Sequence, residues 1–64
     1  MKNRLKEFRE SCKMSQEELS EKTKVSRTTI SKIENNENVT VKTSTLISIA
    51  DALGKTVRDI FFIN

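Results

Sequence analysis

Two helix-start signals, Ser15 and Ser26, divide the stretch SQEELSEKTKVSRTTISKIE, and their spacing constrains this chain more than any other feature. Ser15 followed by Glu18 is a capping box: the hydroxyl accepts from the third backbone N–H, and the carboxylate reaches back to the serine N–H. Glu17 and Glu18 also put negative charge in the first turn, where the helix dipole favours it. Leu19 and Thr23 give this helix a narrow inner face. Thr23-Lys24-Val25 interrupts it, Ser26 offers a second cap, and a new helix can run from Arg27 to Asn35. The stretch predicts two short helices joined by a tight turn.

At roughly 100° per residue, Ile30 and Ile33 of the later helix fall on one side, with Glu34 on its margin. Thr28, Ser31, Lys32 and Asn35 fall opposite, and Arg27 projects from the N-terminal flank. That exposed face holds hydroxyls, an amide and two cations, and no carboxylate. A solvated helix usually mixes both signs to gain i,i+4 pairs, as Glu17, Glu18, Glu21 and Lys22 do on the preceding one. A donor-rich face on a small scaffold suits the phosphates and base edges of double-stranded DNA.

The whole chain narrows the setting. Its 64 residues, 34% of them hydrophobic, predict one complete domain spanning 1–64 with a modest core. With no Pro and a single Gly the expected class is all-α. Of the formal charge of +3, residues 1–33 carry nine cations and five acids, whereas residues 34–64 carry three cations and four acids. The basic surplus therefore sits in the half that holds the donor-rich helix.

Helices are predicted over about 2–13, 16–23, 27–35, 44–53 and 57–61. In the first, Leu5, Phe8 and Cys12 share one face, with Arg9 beside them. Cys12 reads either as a reactive thiol or as a small core-facing side chain; with no His to activate it, the second reading is preferred. Met14 precedes the Ser15 cap as a hydrophobic staple residue. Val39 and Val41 alternate with polar residues, as in a short extended segment. Thr43 or Ser44 caps the fourth helix, whose buried stripe is Leu46, Ile49, Ala50 and Leu53. Gly54 ends it with a left-handed residue. Thr56 caps the last helix, from which Val57, Ile60 and Phe61 face the core.

The strings NRLKEFRE and MSQEELSEKTKVSRTTISKIENN resemble the Cro/C1-type, or xenobiotic-response-element, helix-turn-helix family of bacterial and phage regulators. LISIADALGKTVRDIF is similar to that family's fourth and fifth helices, so the likeness covers nearly the whole chain. It implies a compact five-helix, lambda-repressor-like DNA-binding domain, with the third helix in the major groove and the second crossing the backbone. By position, the resemblance assigns base reading to Ser26, Arg27, Thr28 and Lys32. Phosphate contacts fall to Gln16, Ser31, Asn35, Asn36 and Lys42. Arg9 and Glu34 match an ion pair that ties the first helix to the third.

Some positions depart from the family pattern. Ser20 stands where a small Ala is usual, and Lys24 stands where Gly commonly adopts a left-handed turn conformation, at a cost of roughly 1 kcal/mol. Asn36 replaces the Gly after the third helix, Asn being the next-best residue for a left-handed conformation, and Lys55 replaces an aliphatic residue. The loop Asn36–Lys42, NENVTVK, carries Glu37 and a single cation, Lys42, where related regulators place several basic residues.

The expected function is a sequence-specific transcriptional regulator, a repressor that binds a near-palindromic operator as a homodimer. Ile47, Phe62 and Ile63 have no place in the predicted core stripes and are the expected dimer contact; Phe62 folded back onto its own core is the competing placement. The alternative class is a protein-interaction module, such as an antitoxin that neutralises a partner. With no His, no nucleophile–base pair, no metal-ligand cluster and no phosphate-cradling Gly loop, neither enzymatic activity nor a cofactor, metal or small-molecule ligand is expected. One Cys cannot form an intrachain disulfide, and neither a membrane-spanning run nor a signal-peptide pattern occurs. A cytoplasmic location is expected, with no membrane partner.

Overall fold

Caps and apolar spacing resolve into five helices: α1 Leu5–Ser11, α2 Gln16–Thr23, α3 Arg27–Glu34, α4 Thr43–Ala52 and α5 Val57–Phe61. They are seen in a computed structural model that describes residues 2–37 and 39–61. The α2 helix packs against α3 and α4, α4 packs against α5, and α1 bridges α3 and α5. Leu5, Leu19, Ile30, Ile33, Ile49, Ala50, Leu53, Ile60 and Phe61 form the buried centre. The expected inward residues of α4 and α5 are all there, with Leu46 and Val57 half-buried at its rim. No strand occurs among the described residues: Val39 and Val41 lean on the core without a pairing partner.

Left-handed residues end the first four helices. After α1, Lys13 (φ 55°) lets its own N–H reach Glu10 O and the Met14 N–H reach Arg9 O, a Schellman motif. Asn36 (φ 59°) does the same after α3, and Gly54 (φ 68°) after α4. The Asn36 and Gly54 conformations follow the sequence reading, whereas Lys13 carried no such signal. Met14 then packs half-buried against the cluster that contains Leu19, as a staple residue should.

Four expectations need correcting. The first helix starts at Leu5 rather than Lys2, because tertiary partners engage the preceding backbone and side chains. Asn3 Oδ1 accepts from Leu5 N–H (2.9 Å), Asn3 Nδ2 donates to Ile33 O (2.8 Å), and Arg4 N–H donates to Ile60 O (2.8 Å). Cys12 is exposed instead of core-facing, with its Sγ reaching Leu53 O at 3.9 Å, while Arg9 occupies the buried position on α1. Neither Thr43 nor Ser44 caps α4; Lys42 is the N-cap, without a side-chain hydrogen bond, and α4 spans 43–52 rather than 44–53. The α3 helix likewise ends at Glu34, with Asn35 as its C-cap. Thr56 caps α5 as expected: its Oγ1 accepts from Asp59 N–H (3.1 Å), and Asp59 Oδ2 accepts from Thr56 N–H (3.0 Å).

Candidate nucleic-acid interface

The turn between α2 and α3 is held by hydroxyls. Ser15 and Glu18 complete the capping box, with both hydrogen bonds at 3.0 Å. Hydrogen bonding to Ser15, its backbone N–H first and its side chain second, holds the Glu18 carboxyl below the usual glutamate range. At the other end Lys24 is left-handed (φ 63°), and its N–H donates to Ser20 O (2.8 Å). Ser20 Oγ donates to Val25 O (2.6 Å), while Thr23 Oγ1 donates to Leu19 O (2.7 Å) and accepts from Val25 N–H (3.2 Å). The two departures at Ser20 and Lys24 thus meet in one turn. The Ser20 hydroxyl supplies a bond that alanine lacks, beside the strained Lys24.

From this turn α3 projects with Ile30 and Ile33 fully inward. Arg27, Thr28, Lys32 and Asn35 are exposed, and Ser31 is half-buried. Arg27, Thr28, Ser31 and Lys32 line one open cleft of about 520 Å³ together with Gln16 of α2 and Glu37. Ser26, Asn35, Asn36 and Lys42 lie outside that lining. The Ser26 hydroxyl is engaged as the α3 cap: it accepts from Thr29 N–H (3.1 Å) and donates to Thr29 Oγ1 (2.8 Å). Asn36 Oδ1 accepts from Asn3 Nδ2 at 3.3 Å.

The α3 helix has one acid, Glu34, and it is turned inward. Arg9 Nε and Nη2 donate to Glu34 Oε2 and Oε1 at 2.7 and 3.1 Å, a bidentate pair whose side chains are 10% and 2% exposed. Arg9 Nη1 donates to Met14 O (2.6 Å). The hydrogen bonds to Glu34 raise the Arg9 pKa above the ordinary guanidinium range, against the burial that pushes it down. Among the described residues no buried side-chain polar atom lacks a partner. Folding the pair inward removes the only negative charge from the outer face of α3.

Two features of the cleft escape a reading of helix faces. Gln16 Nε2 donates to Glu34 Oε1 (3.0 Å), so the first residue of α2 is tied to the ion pair that anchors α3. One amide hydrogen and the carbonyl oxygen of Gln16 are left for an outside partner. Glu37 enters the cleft because the Schellman bond from its N–H to Lys32 O (3.0 Å) folds the chain back over the last turn of α3. The left-handed Asn36 was the available signal for that fold-back.

Comparison with known proteins agrees with this geometry. A family model described as helix-turn-helix matches residues 5–60, from the first residue of α1 to the penultimate residue of α5. No curated protein matches the sequence.

Proposed function

The chain belongs to the Cro/C1-type helix-turn-helix family of DNA-binding transcriptional regulators, and from that premise we propose that it is a repressor that recognises a near-palindromic operator as a homodimer. The observation that carries this reading is the donor-rich, carboxylate-free outer face of α3, left by turning Glu34 onto Arg9. Arg27, Thr28 and Lys32 read base edges, since arginine and lysine suit the two acceptors of guanine in the major groove. Ser26 sets the start of the reading helix through its cap and stands at its edge. Gln16, Ser31, Asn35, Asn36 and Lys42 contact phosphates and hold the register.

Two copies would set their α3 helices in successive major grooves about 34 Å apart. Ile47, 46% exposed on α4, supports a partner surface there. Phe62 and Ile63, the other residues of the proposed contact, lie outside the described residues. Among the described residues no helix is long and apolar enough to cross a membrane.

Selection of bound sites from random duplexes by the purified protein tests the proposal. The expected result is a consensus of two inverted half-sites with centres one helical turn apart. A single unrepeated half-site would refute the dimer, and no enrichment over input would refute sequence-specific recognition.

A further inference from the structure

We infer that Glu37 is a built-in limiter of DNA affinity, a carboxylate held in the reading cleft that repels the phosphate passing the C-terminal end of α3. This inference rests on the DNA-reading role of α3 and extends it. Glu37 is exposed and lines the same cleft as Gln16, Arg27, Thr28, Ser31 and Lys32, so it faces whatever those donors face. Its backbone is not free to swing away. The Glu37 N–H is bonded to Lys32 O, and Asn36 is left-handed. Asn3 pins the turn from behind through Ile33 O and Asn36 Oδ1.

Among the described residues the ion pairs are Arg4–Glu7 and Arg9–Glu34, so no salt bridge ties the Glu37 carboxylate to Arg27 or Lys32. A recognition helix presents its N-terminal residues to base edges; Glu37, beyond the C-terminal end, meets the sugar-phosphate backbone instead. A carboxylate beside a phosphate, on a backbone held in place, weakens binding to every sequence, because the phosphate term is shared by specific and non-specific complexes. Binding by one copy is thereby kept weak, and productive occupancy falls to two copies acting together.

The test compares wild type with Glu37→Gln and Glu37→Ala on a selected duplex and on a scrambled one, across a salt series, with thermal melts to confirm folding. Like charges a few ångströms apart near a surface interact by amounts worth roughly three- to tenfold in affinity. Both variants are expected to bind both duplexes three- to tenfold more tightly, with a steeper fall in log K against log salt. Unchanged affinity on both duplexes overturns the limiter while leaving DNA reading by α3 intact. So does a loss confined to the selected duplex at one base pair, which would make Glu37 an acceptor for a cytosine amino group. A wild-type protein that binds neither duplex overturns the DNA-reading role of α3, and this inference with it.

Discussion

Replacing Arg9 with Met should strand Glu34 in the interior. The carboxylate is 2% exposed and would keep only the Gln16 amide of its three donor contacts. Breaking a buried pair from one side costs ~3–5 kcal/mol, and a core of this size rarely supplies more than ~3–5 kcal/mol in all. Arg9→Met is therefore expected to leave the chain largely unfolded at 25 °C unless an excluded osmolyte supports it. Glu34→Leu should cost less, because the guanidinium is 10% exposed on a flexible stem and still reaches Met14 O. The double variant removes both charges and leaves the Met14 carbonyl and the Gln16 amide without their partners. At about 1 kcal/mol for each lost hydrogen bond, its cost is ~2 kcal/mol, below that of Arg9→Met alone. Urea unfolding followed by circular dichroism, in constant sucrose, gives the cycle. Single-variant costs that add to within ~0.5 kcal/mol would refute the coupling.

Other perturbations probe separate links. Lys13→Gly and Lys24→Gly should each raise stability by up to about 1 kcal/mol, by relieving left-handed strain at φ 55° and 63°; a lower urea midpoint at unchanged m-value would count against those conformations. Glu18 and Asp59 have carboxyls held below the ordinary range by hydrogen bonds from Ser15 and Thr56, backbone first. A depressed folded pKa adds stability above the unfolded value, near pH 4 by ordinary carboxylate values of roughly 3.9–4.3, and loses it as pH falls through the folded one. Glu18→Gln and Asp59→Asn should accordingly flatten the acid limb of Tm against pH, and an unchanged limb would rule the two caps out as its source. Arg27→Ala should cost ~1–3 kcal/mol in operator binding and relax preference at one base pair, whereas Gln16→Ala should weaken all duplexes alike. Equal losses for Arg27→Ala on selected and scrambled duplexes would remove Arg27 from base reading.

What could be read from the sequence alone is mostly what acts within one helical turn. Ser15, Ser26 and Thr56 each bond a backbone N–H three residues on, so residue identity and spacing suffice to find them. Gly54 and Asn36 are the residue types that tolerate a left-handed backbone, and the apolar stripes of α3 and α4 follow from helical periodicity. The Arg9–Glu34 pair was legible only through family resemblance, since 25 residues separate the partners. The tertiary structure decided the rest. Asn3 reaches Ile33, 30 residues away, and Arg4 reaches Ile60, and these ties displace the first turn expected for α1. Lys13 turns left-handed because the Schellman bonds and the burial of Met14 outweigh its own preference. Gln16 meets Glu34, and the locally folded-back Glu37 comes to share a cleft with Gln16, because α2 and α3 pack together. Local chemistry specifies helices and their caps one turn at a time. Which polar groups then face each other depends on burying Ile30, Ile33 and Leu19 together, and no local signal encodes that.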